Sequence, residues 1–204
     1  NSYLKSHAEE DRDITAANWS FMGPSTTPGG YTGMGRVNCM AFHPTDVNTF
    51  WVGTPAGGLW KTINGGNTWT TNTDNLPVLG VSDIAIDPTN PSIMYIATGD
   101  GDLGSLYSLT ANFNGDTKSV GVLKSTDGGN TWNTTGLNWS VTSTKLIRRL
   151  IINPNNPQIL LAAASDGIWR TTDGGTTWTN VQTGYFTDLE FQPSNPTVIY
   201  ASTM

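Results

Sequence analysis

Short apolar runs recur along the chain, each followed by a proline-containing turn and a second apolar run. Four segments share this pattern: Val37–Phe42, His43-Pro44, Thr49–Thr54; Val81–Ile86, Asp87-Pro88, Ile93–Thr98; Leu146–Ile152, Asn153-Pro154, Ile159–Ala164; and Phe186–Phe191, Gln192-Pro193, Val198–Thr203. Runs rich in Val, Ile, Phe and Tyr, bounded by Pro, Asn and Ser, predict β-strands joined by tight connections. The first three units then continue alike. Gly58–Thr62, Val122–Ser125 and Ile168–Thr171 each lead into a segment ending in Gly-Gly-x-Thr-Trp, at Trp69, Trp132 and Trp178. The Asp/Asn-Gly-Gly core supplies the positive φ angles of a hairpin turn, so each unit gains a third and a fourth strand.

From turn proline to tryptophan the first and third units span 25 and 24 residues; the second spans 44 and so carries an insertion. Four antiparallel strands per ~40 residues is the pattern of a β-propeller blade. The expectation is therefore an all-β chain: a β-propeller of four-stranded antiparallel blades, about three and a half of them present. Blades are expected at about 37–72, 81–135 and 146–180, with a partial one at 186–204, inside a propeller region 19–204. Residues 1–18 read equally as a helix or a solvated tail. An open arc leaves sheet edges uncovered, so the remaining blades are expected elsewhere in a larger protein.

Composition narrows the function classes. The 204 residues carry a net charge of −6, and only 13% are charged, about half the ~25% of an ordinary domain. Nucleic-acid binding needs clustered Lys/Arg, so it is not expected. No apolar run approaches the ~20 residues of a membrane helix, so membrane insertion is not expected either. The single cysteine, Cys39, lies in an apolar run and reads as a small buried hydrophobe.

Ser125–Trp132 and Thr171–Trp178 match the Asp-box, Ser/Thr-x-Asp-x-Gly-x-Thr-Trp; Thr62–Trp69 is a third copy with Asn64 in the Asp position. On these residues the chain resembles the Asp-box (BNR-repeat) propellers: sialidases, xyloglucanase-like glycosidases and sortilin-type domains. The box residues are Asn64, Trp69, Asp127, Trp132, Asp173 and Trp178. Asp127 and Asp173 are expected to accept hydrogen bonds from turn N–H groups, and Asn64 to do so through its side-chain oxygen. The three tryptophans are expected to be substantially buried at equivalent positions. The resemblance implies that these residues are structural and lie away from any ligand site.

The blade wording also resembles secreted, multi-blade surface proteins of Bacteroidetes that leave by type IX secretion. That implies a secreted or cell-surface bacterial location and a glycan or protein partner. In an up-and-down blade the proline turns and the boxes share one face. The connections from second to third strand and between blades share the other, where relatives place their ligands. Arg36, after Gly35 at the start of the first strand, is the candidate ligand residue there. The sialidase arginine motif is absent. The stretch matching the acidic segment of xyloglucanase-like enzymes, Gly53–Gly58, has Pro55 at the acidic position.

The insertion reads Asp100-Gly101-Asp102-Leu103-Gly104, with Asp116 further on. Asp-x-Asp-x-Gly opens many Ca²⁺ loops. Two readings stand: a Ca²⁺ site built from Asp100, Asp102 and Asp116, or an Asp/Gly turn held by its own hydrogen bonds. Three functions stay open: a non-catalytic glycan- or protein-binding propeller module, a glycoside hydrolase with its carboxylates in further blades, and a sortilin-like peptide-binding propeller.

Overall fold

The computed structural model describes residues 35–100 and 118–203. Residues 1–18 lie outside them, as do Asp102 and Asp116. Gly35–Met204 forms one compact unit. In it, β1 (Cys39–Phe42), β2 (Phe50–Gly53), β3 (Leu59–Thr62) and β4 (Thr70–Thr71) form the first sheet. The second is β5 (Val81–Ile86), β6 (Met94–Thr98), β7 (Gly121–Ser125) and β8 (Asn133–Asn138). The third is β9 (Ile147–Ile152), β10 (Leu160–Ala164), β11 (Gly167–Thr171) and β12 (Thr179–Thr183). The last pair is β13 (Phe186–Gln192) and β14 (Asn195–Thr203). Every neighbouring pair is antiparallel and follows chain order.

The proline turns set one register four times. Phe42 faces Phe50, Ile86 faces Met94, Ile152 faces Leu160 and Phe191 faces Ile199. The residue before each of the first three prolines supplies the acceptor that folds the turn. Asp87 Oδ1 accepts from the Thr89 and Asn90 N–H groups, and Asn153 Oδ1 from those of Asn155 and Asn156. His43 does the same through Nδ1, which accepts from the Asp46 N–H at 3.0 Å. Three chemically different side chains thus make one Asx-like turn.

The first strands of successive sheets lie side by side, β1 against β5, β5 against β9 and β9 against β13. Consecutive four-stranded meanders arrayed about their first strands define a β-propeller; three blades are complete in strands and the fourth shows two.

The core is divided into layers between blades. Along β6, Met94 and Ile96 pack toward the first blade while Tyr95 and Ala97 pack toward the third. Along β10, Leu160 and Ala162 face the second blade while Leu161 and Ala163 face the fourth. Period-two alternation sends successive side chains to opposite faces. Both faces are covered, so these strands read as continuous apolar runs rather than alternating ones.

The expected burial of the three tryptophans needs correction. Trp132 and Trp178 are half-buried, and Trp69 is 36% exposed. Each of the first two packs into the layer shared with the preceding blade, Trp132 beside Trp51 and Met94, Trp178 beside Tyr95. Trp69 points to the side of the first blade that no described residue covers. It meets Phe50 edge-on at 5.2 Å, and Phe42 and Met40 are exposed on the same blade. Cys39 is partly buried against β5, where its Sγ approaches the Val81 carbonyl at 3.8 Å, and burial pushes its thiol up to about 12.

Candidate functional site

The hairpin turns are built from one hydrogen-bond template. Asp127 Oδ1 accepts from the N–H groups of Asn130 (3.0 Å) and Thr131 (2.8 Å) and from Ser125 Oγ, and Oδ2 accepts from Thr131 Oγ1. Asp173 repeats this with Thr171 and Thr177. Asn64 Oδ1 accepts from the Thr68 N–H at 2.9 Å, while its Nδ2 donates to Thr68 Oγ1. The Thr131 hydroxyl, then its N–H and Ser125, hold Asp127 down to about 2; the Thr177 N–H leads for Asp173, also about 2. Carboxyls this acidic are ionised acceptors near neutral pH. Gly66, Gly129 and Gly175 sit at φ 90°, 85° and 90°, where a side chain is strained.

These turns and the proline turns share one face. In each of the first three blades the turn glycine donates to the proline turn: Gly65 to Asn48, Gly128 to Ser92 and Gly174 to Gln158. The turns also lock neighbouring blades. Tyr95 Oη and Lys124 Nζ both donate to the Gly174 carbonyl, at 3.0 and 2.9 Å. In the preceding seam Asn72 Nδ2 bridges the carbonyls of Gly129 and Asn130, and Lys61 lies over the Trp51 ring at 5.2 Å.

The opposite face carries the candidate site. Arg36 Nη2 pairs with Asp100 Oδ2, and Asn38 Nδ2 donates to Asp100 Oδ1 at 3.3 Å. The candidate ligand arginine and the first candidate Ca²⁺ ligand therefore meet each other. A guanidinium faces Asp100; Asp102 and Asp116 are not among the described residues. No three His, Cys, Asp or Glu side chains gather as metal ligands among the described residues. The Gly53–Gly58 stretch closes on itself, with Thr54 Oγ1 accepting from the Gly57 N–H and donating to the Gly58 carbonyl.

Further along this face Lys145 pairs with Asp166 at 2.7 Å and lies over the Trp139 and Trp169 rings. Trp169 Nε1 donates to Asp166 as well. Arg148 donates to Tyr185 Oη through Nε and Nη2 (3.2 and 2.9 Å), its Cζ 5.4 Å from the ring centroid.

The inner strands hold a second charged group that the sequence reading passed over. Asp83 is 5% exposed; its Oδ2 accepts from the Leu150 N–H at 2.7 Å and its Oδ1 from Ile84. Burial raises its carboxyl above the ordinary value against the lowering effect of these bonds and of Arg149. Arg149 reaches Asp83 (3.5 Å), Asp188 (3.3 Å) and Glu190 (3.1 Å). Asp83, Arg149 and Glu190 border a cavity of about 530 Å³ lined mainly by β5, β9 and β13 and the turns that follow β9 and β13. Asp83, Arg149 and Asp188 each stand five residues before the turn proline. That shared offset was the signal available for finding them.

No family model matches the chain. A xyloglucanase from Paenibacillus sp is 29% identical over 148 residues, covering 67% of this chain and 13% of its own length. A xyloglucanase from Hypocrea jecorina is 28% identical over 149 residues, covering 67% and 16%. Among solved structures, an ancestral GH74 enzyme superposes with a TM-score of 0.66 at 22% identity, covering 81% of this chain and 22% of that one. The chain thus spans under one fifth of the curated relatives it matches. The likeness places it among the β-propellers. No described helix is long and apolar enough to cross a membrane.

Proposed function

We propose that this chain is the Asp-box propeller part of a larger secreted or cell-surface bacterial protein, and that it binds glycans on the face opposite the hairpin turns. The observation that carries this reading is the alignment of two thirds of the chain with xyloglucanases. The aromatic and charged surface formed by Trp139, Trp169, Tyr185, Lys145 and Arg148 supports it, because sugar rings stack on such side chains. The three turns resemble Asp-box hairpins, and Asn64, Asp127 and Asp173 cap their own backbones. A non-catalytic role is favoured by the state of the carboxylates on this face. Asp100 and Asp166 are each held by a cation, and Pro55 stands at the acidic position. Glycoside hydrolysis generally needs two placed carboxyl groups.

Affinity electrophoresis in gels containing soluble β-glucans, run beside a reducing-end assay, tests this reading. Retardation without release of reducing ends is expected. Release of reducing ends abolished by Asp100→Asn or Asp166→Asn would replace it with the glycoside hydrolase reading. Such an enzyme is the second interpretation, favoured by the names of the aligned relatives.

A further inference from the structure

The first strands of the second, third and fourth blades each contain a β-bulge at the same place. Val81 and Asp83 pair with adjacent residues of β6 and skip Ser82. Ile147 and Arg149 do the same against β10 and skip Arg148, and Phe186 and Asp188 against β14 skip Thr187. Bulges re-aim side chains and concentrate beside functional sites. At two of the three, the skipped residue is a small hydroxyl that bonds back to its own sheet, Ser82 to the Ala97 carbonyl and Thr187 to that of Ser202. At the third it is an arginine that leaves its own sheet for the connector to the next blade.

Three other cations differ from it in what they meet. Arg149 meets three carboxylates, Arg36 meets Asp100 and Lys145 meets Asp166. Arg148 meets a phenol: among the described residues it makes no ion pair, and two of its nitrogens are held by Tyr185 Oη. A phenolic oxygen fixes the plane of the guanidinium without neutralising it. The remaining N–H donors form the fork that matches a carboxylate.

Resting on the glycan-binding reading, we propose that Arg148, presented by Tyr185 on the ligand face, is the seat for the carboxylate of an acidic glycan such as a uronate-bearing oligosaccharide. The net charge of −6 opposes long-range attraction of polyanions, so recognition rests on one carboxylate at short range. Aromatic side chains on the same face favour a sugar over an acidic peptide as the carrier.

The test is isothermal titration of the full 204-residue chain with a glucuronate-bearing xylo-oligosaccharide, and with the same oligosaccharide after its carboxyl is reduced to an alcohol. The acidic form should bind at least tenfold more tightly. Arg148→Gln should remove that difference and leave affinity for the reduced form unchanged. Tyr185→Phe, which keeps the ring, should reduce the difference in part. Equal affinity of both forms for the native chain overturns the inference and leaves glycan binding standing. So does a preference for the acidic form that survives Arg148→Gln. Binding of neither form overturns the glycan reading and this inference together. An Arg148-dependent affinity for an Asp/Glu hexapeptide that exceeds that for the acidic sugar reassigns the seat to peptides.

Discussion

The first and second blades carry nearly the same hairpin, yet their tryptophans lie in different surroundings. Asn64 and Asp127 each accept from a threonine N–H four residues on, and the two turns have the same pair of positive-φ glycines. Trp132 packs against Trp51 and Met94, whereas Trp69 meets Phe50 of its own blade and, among the described residues, no preceding blade. Turn geometry is a local matter closed within eight residues. Burial of the tryptophan is a loan from the preceding blade.

The two seams differ in the same sense. Between the second and third blades, Tyr95 is fully buried and anchors the Gly174 carbonyl together with Lys124. Between the first and second, Trp51 takes the equivalent place without a hydroxyl. Asn72, just after β4, supplies the bridge instead.

The largest expected effect tests the tighter seam. Tyr95→Ala should destabilise by roughly 3–5 kcal/mol in urea unfolding, as for other large buried aromatics, and Tyr95→Phe by about 1 kcal/mol for the lost hydrogen bond. An equal, small loss from both would mean that the seam does not depend on this side chain.

The tryptophan contrast gives the next effect. Trp132→Ala should cost roughly 2–3 kcal/mol and Trp69→Ala under about 1 kcal/mol, because the exposed ring buries less surface. Equal costs would show that a layer covers Trp69 in solution. Asp83→Ala should cost about 1–3 kcal/mol by leaving the buried Leu150 N–H without its acceptor. Asp83→Asn, which keeps one carboxamide oxygen, should cost less.

The pH response separates the hairpin turns from the inner strands. Asp127 and Asp173, lowered to about 2 when folded, stabilise fully above the ordinary carboxylate value near 3.9. That contribution is lost as pH falls through about 2. Asp83 is raised, so its ionised form costs stability, and acidification through its folded value relieves that cost. Thermal melts from pH 7 to 2 should therefore show Asp127→Asn and Asp173→Asn flattening the acid loss. Asp83→Asn should steepen the net decline by removing an opposing gain. The smallest effect is expected from Asn64→Asp, which brings the first turn to the template of the other two and should raise Tm slightly.

Much of the fold was legible in the sequence because its signals are local. The offset from one apolar run to the next fixed the register of all four first hairpins. Gly-Gly at the turn fixed the positive φ, and Thr-Trp after it began the fourth strand. The Asp/Asn acceptors of the turns were legible for the same reason, since every partner lies within four residues. His43 acting as such an acceptor through Nδ1 was not expected from a histidine beside a proline.

The candidate site was less legible. Arg36 was marked for a ligand and Asp100 for a cation, and their pairing joins residues of adjacent blades 64 positions apart. Arg148 appears in the sequence as one of two adjacent arginines, told from Arg149 only by its distance from the turn proline. A bulge directs one to Tyr185 and leaves the other among Asp83, Asp188 and Glu190. By itself the sequence determined strand, turn and repeat, whose hydrogen bonds close within a few residues. The tertiary structure decided which tryptophans are covered, which charges meet and which arginine is left a phenol for a partner, because those outcomes depend on what the neighbouring blade presents across each seam.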